Sequence, residues 1–108
     1  MITDLIALEA AVDHDGATRM ALSGELDIHT ASQVRGPLTR HIAPGGPDLV
    51  LDITDLTFCD SSGIDLFLDL DRTCRAAGAR LRLTGVPQLT ATALRLLGAD
   101  RFLAYRPS

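Results

Sequence analysis

Apolar and polar positions change period several times along the chain, and each change marks an element. Ile6 to Val12 and Thr18 to Leu22 both alternate loosely, with the turn signal His14-Asp15-Gly16-Ala17 between them, so an antiparallel hairpin is expected. Ser23-Gly24-Glu25-Leu26-Asp27 reads as a polar, glycine-containing corner. Thr30 then serves as the cap of a helix running to about Ile42, with Ala31, Val34, Leu38 and His41 or Ile42 as its apolar stripe. Pro37 removes one backbone donor from this helix and predicts a kink or a weak helix.

Ala43-Pro44-Gly45-Gly46-Pro47 is a surface loop, too short and too central for a domain linker. Asp48 to Ile53 follows as a strand whose Leu-Val-Leu run is apolar on both faces, the pattern of an interior parallel strand. A second helix is expected from Ser62 to about Ala77, a strand over Arg80–Thr84, and a third helix opened by Gly85-Val86-Pro87. That third helix should carry Leu89, Ala93, Leu96 and Leu97 inward until Gly98 caps it, and Phe102–Tyr105 reads as a short terminal strand. A hairpin followed by alternating helices and strands predicts a single α/β domain, a mixed β-sheet packed against helices.

The 108 residues suit one core, and the 46% apolar content is enough to fill it. A net charge of -4 gives no basic footprint for nucleic acid, and no apolar run approaches the ~20 residues that cross a bilayer. Met1 to Leu8 lacks the basic start and long apolar run of a signal peptide, so a cytoplasmic, soluble domain is expected. Cys59 and Cys74 form neither a CxxC pair nor a metal cluster and read as reduced, buried thiols. All ten basic residues are arginines. The lack of lysine excludes a phosphate-binding Walker lysine, a Schiff-base lysine and the lysine of a receiver domain.

Chemistry concentrates in Leu56-Thr57-Phe58-Cys59-Asp60-Ser61-Ser62-Gly63-Ile64, where a strand pattern ends in an acid, two hydroxyls and a glycine before a helix. Ser62 suits the N-cap and Gly63 the bend. Ser61 is then left free on the lip of the turn, where a phosphate would face a helix N-terminus. Its bland role is a second capping hydroxyl, and that of Asp60 is an Asx-type turn. A hydrolase would pair Ser61 or Ser62 with His29 or His14 and an aspartate, but the stretch lacks a GxSxG elbow and nothing specifies an oxyanion hole. Asp48, Asp52, Asp55 and Asp60 have no spacing that gathers them around a metal.

Gly24-Glu25-Leu26-Asp27 ahead of the first helix, Asp60-Ser61-Ser62-Gly63 ahead of the second and Leu83-Thr84-Gly85-Val86-Pro87 ahead of the third together resemble the anti-sigma factor antagonist family and its STAS fold. The resemblance spans nearly the whole chain. It implies a non-enzymatic switch without cofactor or metal. An anti-sigma factor serine kinase would phosphorylate Ser61, the unphosphorylated form would bind that kinase and free the sigma factor, and a serine phosphatase would reset the switch. The implied phospho-loop is Asp60, Ser62 and Gly63; the partner surface is expected at Gly24, Glu25 and Asp27 and, from the periodicity of the second helix, at Ile64, Asp65 and Leu68. Helical periodicity buries Gly63, Phe67, Leu70, Cys74 and Ala77, leaving Asp65, Asp69 and Arg72 outward with Leu68 towards them and Ile64 at the edge. The chain departs from the family pattern after Gly63, where Asp65, Asp69 and Asp71 make the second helix acidic. The alternative reading is a STAS scaffold that is never phosphorylated and serves as a subunit of a transport or signalling assembly.

Overall fold

The computed structural model describes residues 5–11 and 16–108. Strands β1 (Ile6–Ala11) and β2 (Thr18–Leu26) form the expected antiparallel hairpin. The chain continues through α1 (Ile28–Thr39), β3 (Leu49–Asp52), β4 (Leu56–Cys59), α2 (Ser61–Ala76), β5 (Leu81–Val86), α3 (Gln88–Leu96), a 3-10 turn (Ala99–Arg101) and β6 (Ala104–Pro107). The main sheet order is β1-β2-β3-β5-β6, with every pairing after the first parallel. This is the mixed α/β sheet read from the sequence, and the hairpin turn over 12–15 lies outside the described residues.

One edge of β2 is shared. Thr18–Ala21 pairs with β3 and Gly24–Leu26 pairs with β4, so the break between β3 and β4 leaves β4 beside the end of β2. Ser23 to Leu26 is therefore strand, not a corner. Sequence hid this because Gly24 breaks the alternation. Its φ of 101° and its close approach to the Leu5 carbonyl leave no room for a side chain, and the β2–β4 register shifts at Gly24/Glu25.

The helices cover one face of the sheet. Ile6, Leu8, Met20, Leu22, Leu49, Leu51, Leu81 and Leu83 point into a core closed by Val34 and Leu38 of α1, Leu66, Phe67 and Leu70 of α2, and Leu94 of α3. β3 is buried at Leu49, Val50 and Leu51, as an interior parallel strand requires. Helix α1 passes through Pro37 in its last turn and ends two residues later, short of Ile42.

Helix α3 departs from expectation. Gly85 and Val86 belong to β5, Pro87 is the N-cap, and the buried positions are Thr90, Ala91 and Leu94, while Leu89, Leu96 and Leu97 are exposed. Buried anchors at both ends, Val86 before it and Ala99 and Leu103 after it, fix how the helix is rotated. Small side chains at Thr90 and Ala91 then let it lie close to the core. The helix's own leucine stripe does not decide.

Candidate functional site

Strands β2 and β4 end side by side and each hands over to a helix through an aspartate. The Asp60 amide donates to the Leu26 carbonyl at 3.3 Å, which ties the two handovers together. Asp60 is the N-cap of α2: its carboxylate accepts from the Ser62 amide at 2.9 Å and the Gly63 amide at 3.4 Å. The expected cap at Ser62 is thus corrected. An extended Asp60 reaches the free amides of the first turn and satisfies them as a carboxylate, so neither serine is needed there.

Ser61 becomes the first helical residue. It is exposed, and its hydroxyl has no hydrogen-bond partner among the described residues. Gly63 is helical and buried, and it is not the bend expected of it. A Cβ there would sit 2.5 Å from Cys59 Sγ and 2.8 Å from Leu26 Cδ2, so glycine lets the first turn of α2 press against the ends of β4 and β2. Burial, with Asp60 adding its charge, pushes the Cys59 thiol up to about 12. Cys59 is therefore a poor nucleophile beside Ser61.

The same end of the sheet holds the other sequence-selected residues. Asp27 caps α1, accepting from the amides of His29 at 2.9 Å and Thr30 at 3.0 Å, while its own amide donates to Thr30 Oγ1. The Thr30 amide foremost, with the His29 amide and the Thr30 hydroxyl, holds the Asp27 carboxyl below its usual range against some desolvation. Thr30, expected as the cap, is the closing member of this box. Gly24 has its structural task in β2, and Glu25 is exposed.

Helix α2 is packed on two sides. Ile64, expected at the edge, is 1% exposed and part of the core, because α1 flanks the sheet-facing side and widens the buried arc. Asp71 is also turned inward at 4% exposure, bound by Arg75 at 2.9 Å. Leu68 is partly packed on the core and lines a depression of about 300 Å3 with Phe102. Asp69 is pulled up by partial burial, but hydrogen bonds from Arg35 and Arg72 outweigh this and leave it below the usual range; Arg35 lies 2.8 Å away on α1. Asp65 is exposed and shares a depression of about 260 Å3 with Ile28, Ala31, Ser32, Arg35 and Ser62.

Three apolar residues at this end were not read from sequence as exposed. Ile28 is 70% exposed at the start of α1, Phe58 50% in β4 and Leu89 84% at the start of α3. A four-residue strand carries too little periodicity to orient Phe58, and Leu89 was assigned to the wrong side of its helix. Phe58 and Leu89 line one depression on one flank of the α2 start, and Ile28 and Ser62 line another on the opposite flank.

Of the hydrolase candidates, His29 is exposed in the first turn of α1 and His14 lies outside the described residues. Three of the four aspartates considered for a metal have separate tasks. Asp48 accepts from the Arg80 amide, Asp52 from Thr54, and Asp60 caps α2. Among the described residues no group of three or more His, Cys, Asp or Glu could hold a metal ion, and no helix is long and apolar enough to cross a membrane.

The fold is shared with solved structures. A crystal structure of an anti-sigma factor antagonist from Mycobacterium paratuberculosis superposes with a TM-score of 0.83 at 23% identity, covering 99% of this chain and 90% of that one. The phosphorylated form of the Bacillus cell fate determinant SpoIIAA gives 0.68 at 23% identity, covering 94% and 93%. Osmosensory protein A of Mycobacterium tuberculosis is 33% identical over 88 residues, covering 72% of this chain and 55% of that protein, so the chain spans about half the length of this relative. Residues 10–104 match the family described as Mlab, STAS domain. The chain belongs to the STAS domain family.

Proposed function

We propose that this domain is an anti-sigma factor antagonist switched by phosphorylation of Ser61. The observation that carries the reading is the division of labour at the start of α2: Asp60 satisfies the helix amides, and the exposed Ser61 hydroxyl is left without a partner among the described residues. A kinase can take that hydroxyl without unravelling the cap. In the cytoplasm the unphosphorylated form binds an anti-sigma factor serine kinase and so frees a sigma factor, and a serine phosphatase restores it. The domain itself catalyses nothing.

The partner surface surrounds Ser61. Ile28, Phe58 and Leu89 supply apolar anchors and Glu25 and Asp65 an acidic rim, the arrangement in which a few residues carry most of the binding energy. Gly24 and Asp27 contribute by shaping the first handover, Gly63 by seating the second, and Leu68 by its exposed part. A phosphate on Ser61 adds about 1.5 to 2 negative charges beside Asp60. The helix N-terminus tolerates that charge, whereas a partner already facing an acidic rim must accept more of it. Ser61→Ala should keep its affinity for the anti-sigma kinase and Ser61→Asp should bind at least tenfold more weakly, measured by calorimetry. Equal binding of both variants would favour the unphosphorylated scaffold instead.

A further inference from the structure

The face of the sheet away from the helices carries a second, independent feature. Strand registers place Arg19, Val50, Arg82 and Ala104 side by side across β2, β3, β5 and β6. Val50 is 2% exposed although it lies apart from the apolar core. Its cover comes from its own face, where arginine stems on both sides can lie over it with their charged heads in water. A depression of about 290 Å3 opens here, lined by Arg19, Val50, Arg82, Thr84, Ala104 and Arg106.

Arg35, Arg72, Arg75 and Arg80 all have carboxylate partners. The other six have none among the described residues, and three of these, Arg19, Arg82 and Arg106, line this one depression. The acids of the adjoining row form no ion pair with them: Glu9 is exposed without an ion pair among the described residues, and Asp52 Oδ1 accepts from the amide and hydroxyl of Thr54. Covering Val50 explains the stems. It does not explain three cations lining one depression.

We propose that this face binds a small phosphorylated molecule. Guanidinium groups of Arg19, Arg82 and Arg106 donate to the phosphate oxygens, for which their planar forks are matched, and the Thr84 hydroxyl donates alongside. The depression is at the small end of ligand sites, which suits one or two phosphate groups with a short body. A nucleic acid is disfavoured by the net charge of -4.

The test is an amide NMR titration of the intact protein with sodium pyrophosphate at fixed ionic strength. Saturable shifts should centre on Arg19, Val50, Arg82, Thr84 and Arg106. Arg82→Met, which keeps an apolar stem beside Val50, should weaken binding at least tenfold, while Arg95→Met on α3 should not change it. Should Arg82→Met melt early, Arg106→Met on the exposed edge strand carries the same expectation. Phosphatidylglycerol vesicles should leave the protein in the supernatant. Absence of saturable shifts at millimolar pyrophosphate, shifts centred on the helix N-termini, or wild-type binding by both arginine variants would overturn the proposal. Vesicle co-sedimentation abolished by Arg82→Met would overturn the small-molecule assignment in favour of a lipid headgroup.

Discussion

Helices α1 and α2 begin alike and are finished differently. Each follows a strand, is capped by an aspartate and exposes its first residue, Ile28 in one and Ser61 in the other. Three residues after the cap, α1 has Thr30, whose buried hydroxyl accepts from the Asp27 amide and donates to the Glu25 carbonyl at 2.7 Å. At that position α2 has Gly63, which has no side chain to close a box and instead brings the turn against Cys59 and Leu26. Beyond its aspartate cap, the first turn of α1 is closed by a side-chain network and that of α2 by packing. A helix start held by packing leaves its polar groups at the surface available for modification.

Substitutions can break this contrast. The largest effect is expected at Phe67, the fully buried anchor of α2, where alanine should cost ~3–5 kcal/mol in denaturant unfolding. Gly63→Ala should cost ~1–3 kcal/mol by overpacking against Cys59 and Leu26, and Gly36→Ala, in open space on α1, should be neutral or stabilising. Thr30→Ala strands a donor and an acceptor and should cost ~1–3 kcal/mol, more than the ~1 kcal/mol expected for Asp60→Ala.

The smallest effect sharpens the comparison through pH. The folded Asp27 carboxyl lies below its ordinary value of 3.8. Its contribution is therefore fully present above the unfolded value and is lost as pH falls through the lower folded one. The melting temperature of wild type should drop over that acidic window, and Asp27→Asn should remove that part of the drop. An unchanged pH profile in Asp27→Asn would mean the cap does not act through its charge.

Sequence made the hairpin, the doubly apolar β3 and the sheet-facing positions Gly63, Phe67, Leu70 and Cys74 legible, because each rests on a single period meeting a single surface. It failed where a second neighbour intervenes. Helix α2 packs on α1 as well as the sheet, so Ile64 and Asp71 are buried outside the expected stripe; at about 100° per residue the buried positions span roughly 160°. Helix α3 is oriented by anchors outside itself, which no helical periodicity reports. At the site, the residues were legible and their tasks were not. Ser61, Ser62 and Asp60 compete for one cap, and only the extended backbone of Asp60, with φ of -98° and ψ of -169°, decides among them.

The most direct test of the central claim is phosphosite mapping by mass spectrometry after incubation with the cognate anti-sigma kinase and ATP. The account predicts one phosphate, on Ser61, absent from Ser61→Ala and retained in Ser62→Ala. Full labelling of Ser61→Ala, or phosphate on Ser62, would contradict it.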